Sequence, residues 1–167
     1  MSRSGYTDDC DDMWGLIRWR GAVAAAIRGK RGQQALREIL AALDAMPSKA
    51  LAAESLVTTD GEFCTLGALG AKRGVDMSQL DPDDPDAVAK AFCIAPALVK
   101  EIVYENDETI DDHDYAYIEM CGPIRTGPPF WEQHERSVRV PRPNVAERRW
   151  WHMRNWVAAH INTEAAS

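Results

Sequence analysis

Apolar side chains recur at three- and four-residue intervals over most of the chain, the period of helices with one buried face. From Asp11 or Asp12, a residue type suited to an N-cap, the segment to Arg28 reads as a helix. Its stripe is Trp14, Ile17, Gly21, Ala24 and Ile27, with Arg18, Arg20 and Arg28 off it. Gly29 and Gly32 bracket Lys30 and Arg31 in a basic turn. A second helix, Gln33 to Ala45, presents Leu36, Ile39, Leu40 and Leu43, and Pro47 stops it. So short a joint predicts an antiparallel helical hairpin.

The helical period breaks over residues 50–64. Leu51, Leu56, Val57, Phe63 and Cys64 flank Thr58-Thr59-Asp60-Gly61, whose Asp-Gly step signals a tight turn. A short β-hairpin or an extended connection is expected there. Thr65 is placed to cap a short helix from Leu66 to Arg73, closed by Gly74. Asp84 is placed to cap the next, with Pro85 at its first position. Helices over 85–93 and 96–106 follow, spaced like a helix-turn-helix, with Cys93 where glycine commonly turns the chain.

Residues 107–143 are polar and rich in Gly-Pro and Pro-Pro steps, although Tyr115–Met120 and Ser137–Val140 have the composition of short pairing strands. The last helix has Asn144 and Glu147 at capping-box spacing and a stripe of Ala146, Trp150, Met153, Val157 and Ile161, which Trp151 and Trp156 widen. The fold class expected is mainly α: a compact helical domain with a short β-hairpin and a long irregular loop. Residues 1–167 are read as one domain, with a flexible N-terminus at 1–12, a loop-rich segment at 109–143 and a C-terminal helix at 144–162.

Composition sharpens this picture. The 167 residues, 46% hydrophobic and 27% charged, suffice for one buried core. The longest apolar run, Ala22 to Ile27, is far short of the roughly 20 residues of a spanning helix, so no membrane association is expected. Asp8, Asp9, Asp11 and Asp12 stand where a secretory signal would be apolar. Cys10, Cys64, Cys93 and Cys121 form no CxxC pair, so reduced thiols in a cytoplasmic protein are expected, with no metal and no cofactor.

The net charge of -7 conceals segregation. Residues 1–12 carry -3, residues 13–53 carry +5, residues 54–119 carry -12 and residues 120–167 carry +3. Two binding readings follow. In the first, an acidic surface of Asp81, Asp83, Asp84, Asp86, Glu101, Glu105, Asp107, Glu108, Asp111 and Asp112 meets a partner with a basic surface. In the second, Arg18, Arg20, Arg28, Lys30, Arg31 and Arg37 bind nucleic acid, with Trp19 available for stacking. The bland account of those cations is pairing with the acidic middle of the same chain. DNA reading by the 85–106 helix pair is disfavoured, because Lys100 faces phosphates beside Glu101, Glu105, Asp107 and Glu108.

Catalytic signatures are missing. Asp111-Asp112-His113-Asp114 has hard oxygen donors but neither the glycine nor the terminal glutamate of a calcium loop. His152 and His160 lie two turns apart on the last helix. Ser55, Cys64 and Cys93 have no nucleophile signature around them, and no phosphate-binding glycine loop is present. Enzyme activity is left without support.

The run Asp60-Gly61-Glu62-Phe63-Cys64-Thr65-Leu66-Gly67-Ala68-Leu69 resembles an element of small phage and prophage proteins: a turn, then Cys-x-Leu-Gly-Ala/Val opening a helix. The resemblance extends to Trp19–Val23, Arg28–Gly32, Glu101–Glu108 and Arg149–Ile161. It implies a setting, the cytoplasm of an infected or lysogenic bacterium, and no activity. The readings it accommodates are an accessory protein that binds and modulates a host protein, a defence or nucleic-acid-handling one among the options, and a nucleic-acid-binding accessory factor. An enzyme of unknown type is the third.

Overall fold

The computed structural model describes Ser4 and residues 13–119 and 135–162. Six helices and one strand pair lie within them: α1 (Met13–Arg28), α2 (Lys30–Ala45), α3 (Thr65–Arg73), α4 (Pro85–Phe92), α5 (Pro96–Asp107), β1 (His113–Glu119), β2 (Glu135–Pro141) and α6 (Val145–His160). The protein is mainly α, as its periodicity predicts. The chain divides into two compact units, residues 111–145 and the remainder.

The helical unit is built around α2 and α5. On α2 the inner stripe of Leu36, Ile39 and Leu43 is fully buried. Each such side chain contributes about 1.5–3 kcal/mol by leaving water. Leu66 and Leu69 of α3, Phe92 of α4, Leu98 and Ile102 of α5 and Met153 of α6 complete the same core. Helix α5 packs on α1, α3 and α4 at once. As a result every residue from Ala97 to Ile110 is buried or half-buried.

Local sequence rules explain most helix ends. Asp84 accepts hydrogen bonds from the backbone N–H groups of Asp86 and Ala87, and Pro85 opens α4. Gly74 closes α3 in the left-handed region at φ 66°. Cys93 closes α4 in the same region at φ 52° without being glycine. The α4–α5 pair is therefore a packed corner.

Four details differ from expectation. Cys64, not Thr65, caps α3, its Sγ accepting from Gly67 N at 3.4 Å, because Thr65 is already helical and its hydroxyl is drawn to Asn106. Lys30 and Arg31 belong to the first turn of α2, so Gly29 alone joins the first two helices. Asn144 adopts φ 58°, whereas a capping box needs an extended backbone at that position. On α1 the buried side is Val23 with half-buried Leu16, Trp19, Ala26 and Ile27, while Trp14 and Ile17 stay 71% and 52% exposed. The small residues Gly21, Ala22 and Ala24–Ala26 give that helix little apolar contrast between faces, and packing chose the side.

The Asp60–Leu69 element has a packing role. Thr58 and Glu62 close the Asp60-Gly61 turn, with Gly61 at φ 80° and a single bridge between Val57 and Phe63. A Cβ on Gly67 would sit 1.8 Å from the carbonyl oxygen of Leu56. The turn can lie on α3 only because that side chain is missing.

In the second unit, β1 and β2 pair antiparallel from His113↔Pro141 to Glu119↔Glu135. The segment read as loop-rich thus carries a hairpin, in the two places whose composition favoured strands. The 1–12 segment, apart from Ser4, together with Cys10 and Cys121, lies outside the described residues.

Candidate functional site

Within the helical unit the acidic residues fall into two groups that differ in exposure. Asp81, Asp83, Asp84 and Asp86 are exposed on the turn leading into α4. Much of their presence there is local chemistry: Asp81 accepts from Asp83 N at 2.9 Å, and Asp84 and Asp86 occupy the α4 N-terminus, where negative charge stabilises a helix. Glu101, Glu105 and Asp107 on α5 and Glu108 at its C-cap are half-buried. Glu105 Oε2 lies 2.7 Å from His152 Nε2, Asp107 Oδ1 accepts from Asn106 Nδ2 at 2.6 Å, and Glu108 Oε1 accepts from Ser4 N at 3.0 Å. Glu101 lines a cleft described below.

Asp111 and Asp112 belong to the hairpin unit. Asp112 bonds His113 and faces Arg139 at 3.6 Å; Asp114 holds Arg142 at 2.5 Å, with Asp111 at 4.0 Å. The His113 hydrogen bond first, then charge, draws the Asp112 carboxyl below its ordinary pKa, and the Asp114 bond raises that of Arg142. Among the described residues no group of three or more His, Cys, Asp or Glu side chains is arranged to hold a metal ion.

The basic residues behave differently. Arg18, Arg20, Arg28, Lys30, Arg31 and Arg37 are all exposed. The only acids in residues 13–53 are Glu38 and Asp44, and both are already neutralised from elsewhere. Arg73 of α3 reaches Glu38 at 2.5 Å, and Arg154 of α6 reaches Asp44 at 2.6 Å. The Arg73 hydrogen bond is also the main cause that lowers the Glu38 pKa. Among the described residues no carboxylate pairs with Arg20, Arg28, Lys30 or Arg31. Internal neutralisation by the acidic middle therefore does not account for these four.

Lys30 and Arg31 are placed against their own helix. They occupy the first turn of α2, which has no acidic residue and no side-chain cap. Cations at a helix N-terminus oppose the macrodipole, a cost of about 0.3–1 kcal/mol each at the surface. Arg28, at the end of α1, stands at the favourable pole of its helix. One glycine separates the two helices, so all three cations crowd one corner.

Beside that corner lies a cleft of about 540 Å³. Helix α1 supplies Trp19, Arg20, Val23, Ala24, Ile27 and Arg28, α5 supplies Glu101 and Tyr104, and the end of α6 closes it with His160. A residue with no sequence signal fixes that end. Gln33, 5% exposed, donates from Nε2 to Ile27 O at 2.9 Å and His160 O at 2.8 Å, and its Oε1 accepts from Asn162 N at 2.8 Å. It ties the ends of α1 and α6 to α2. His160 Nδ1 lies 2.8 Å from Trp156 O, and its ring lies 4.5 Å from the Trp156 ring.

A second polar hub holds the opposite end. Buried Asn106 accepts from Thr65 N and Oγ1 and donates to Ala52 O, while buried Arg149 donates to Asn106 O and Leu51 O. Burying these groups is tolerated because each finds partners. Of the nucleophile candidates, Cys64 is buried at its cap and Cys93 is exposed. No described helix is long and apolar enough to cross a membrane. Protein-family models, curated proteins and solved structures provide no match to this chain.

Proposed function

We propose that the protein is a nucleic-acid-binding accessory factor whose contact surface is the α1–α2 corner. The observation that carries the reading is the group of exposed cations Arg20, Arg28, Lys30 and Arg31, with no carboxylate partner among the described residues. Two of them are kept where they oppose their own helix dipole. A polyanion would offset that cost and supply the missing counter-charge. The resemblance of the Asp60–Leu69 element to small phage and prophage proteins supports a setting inside a bacterial host cell.

Fluorescence anisotropy with labelled single- and double-stranded oligonucleotides tests this. Four phosphate contacts give a log–log salt slope of about -2.8 for single strands, hence a roughly 50-fold loss between 50 and 200 mM salt. Replacing Lys30 and Arg31 with alanine should halve that slope. Wild-type binding that ignores salt, or is indifferent to this double substitution, would remove the corner as the contact surface.

A second reading, occupation of a host protein with a basic surface, draws support from the exposed turn of Asp81, Asp83, Asp84 and Asp86. Charge reversal at Asp83, which lies before α4 and whose side chain does not cap that helix, is its test, with far-UV dichroism to check the fold. A partner captured from bacterial lysate should be lost from that variant and retained by the Lys30/Arg31 variant.

A further inference from the structure

We infer that the outer edge of β1 pairs with β1 of a second copy of the chain, antiparallel about Ala116, so that two hairpins join into one four-stranded sheet. This goes beyond the nucleic-acid reading and uses none of the corner cations, so each stands or falls alone.

A two-stranded hairpin is marginal in water unless a further strand or a packed face supports it. Among the described residues β1 has one neighbour in its sheet, β2. Tyr115 and Tyr117 are 62% and 72% exposed on one face of the pair, and Ile118 and Val140 are exposed on the other. The ladder fixes which backbone groups β2 uses. Arg142 N donates to Asp112 O, and these two residues continue the His113↔Pro141 register by one step. Hydrogen-bonded and non-hydrogen-bonded pairs alternate along an antiparallel ladder. Asp114, Ala116 and Ile118 therefore bond to β2, while the N–H and C=O groups of His113, Tyr115 and Tyr117 point outward. On β2 the outward positions include Pro141, which has no N–H to offer. Proline blunts the β2 edge, and β1 has no such guard.

The side chains identify the occupant. Tyr115-Ala116-Tyr117 reads the same in both directions, and pairing about Ala116 overlaps the whole of β1 with its copy. Tyr115 then stands opposite Tyr117 of the second copy, and aromatic cross-strand pairs are favourable. On the other face the row from Arg136 through Ile118 continues into Asp114 of the second copy. Arg136 is exposed and has no carboxylate partner among the described residues. Two strand spacings, roughly 10 Å between backbones, separate that guanidinium from the carboxylate in the same row. Symmetry makes the complementary pair twice. It also sends the acidic starts of the two strands, Asp111 and Asp112, to opposite ends of the pairing. A single strand pair buries less than the roughly 800 Å² per partner of a standard interface, so the dimer is weak and concentration-dependent.

Sedimentation velocity of the full chain from about 5 to 500 µM, under reducing conditions, tests the pairing. The mass should rise from 18.6 kDa toward twice that value. Tyr117→Pro removes an outward N–H and no rung of the β1–β2 ladder, and should weaken association about tenfold or more. Lys30→Ala/Arg31→Ala should leave association unchanged.

Oxidative cross-linking gives a second measure that does not depend on the hairpin tolerating proline. In a chain with Cys10, Cys93 and Cys121 replaced by serine, the two copies of residue 116 should lie about 4.5 Å apart between Cα atoms, within disulfide range. Ala116→Cys should therefore cross-link to itself. Tyr117→Cys, displaced by two residues from its own copy, should not. A chain that stays at 18.6 kDa over the whole range would overturn the pairing. So would a dimer indifferent to Tyr117→Pro, or one cross-linked as readily at position 117 as at position 116.

Discussion

Replacing Gln33 with alanine should loosen the whole α1–α2–α6 junction. The side chain is 5% exposed and makes three hydrogen bonds of 2.8–2.9 Å to backbone groups of Ile27, His160 and Asn162. At a net value of about 0.5–1.5 kcal/mol each, these bonds sum to roughly 1.5–4.5 kcal/mol. Alanine recovers part of that through side-chain entropy and helix propensity, leaving a net loss of about 2–3 kcal/mol. At about 2–4 °C per kcal/mol for a chain of this size, the melting temperature should fall by roughly 4–12 °C. Urea unfolding followed by both tryptophan fluorescence and far-UV dichroism measures the loss directly. Gln33→Glu is the sharper variant. It keeps an acceptor for Asn162 N but turns oxygen lone pairs toward two carbonyl oxygens, so it should be at least as unstable as alanine at neutral pH. It should recover against wild type as acid protonates the carboxyl and restores a donor. Alanine and glutamate variants both within about 0.5 kcal/mol of wild type would refute the clamp.

Three further outcomes follow from particular contacts. Arg31→Glu should stabilise the fold by about 0.3–1 kcal/mol in chemical denaturation, because it converts an opposed charge at the α2 N-terminus into a favourable one, while weakening oligonucleotide binding; a variant that loses stability shows the cation to be structural. Gly67→Ala should destabilise by about 1–3 kcal/mol despite the better helix propensity of alanine, since its Cβ would fall 1.8 Å from Leu56 O; a rise in melting temperature contradicts that packing. The Arg73 bond lowers the Glu38 pKa in the folded state, so its stabilisation is present above the ordinary glutamate range and lost as pH falls through the lowered value. Wild type should therefore lose more stability than Glu38→Gln between pH 7 and about pH 3, and parallel curves would remove the pair from the acid response.

The sequence by itself determined the elements whose causes are local. The α2 stripe, the Asp84-Pro85 start of α4, the Gly74 end of α3 and the buried Trp150-Met153-Val157 face of α6 depend on residues within a turn or two of each other. Periodicity and capping report such causes directly. The excess of basic over acidic residues in 13–53 was legible in the same way.

Tertiary structure decided everything that depends on partners far along the chain. Which side of α1 is buried followed from its neighbours, since a run of alanines has no strong face of its own. Glu101, Glu105 and Asp107 of α5 are half-buried because that helix is enclosed by three others. Among the described residues Arg20, Arg28, Lys30 and Arg31 have no carboxylate partner, and the two acids of their own stretch, Glu38 and Asp44, are held instead by Arg73 and Arg154, 35 and 110 residues away. Gln33 reads as one more polar residue until His160 and Asn162 arrive beside it, 127 and 129 positions away. Hydrogen bonds and ion pairs at that separation leave no period in the sequence, because closing the chain into the fold is what creates them.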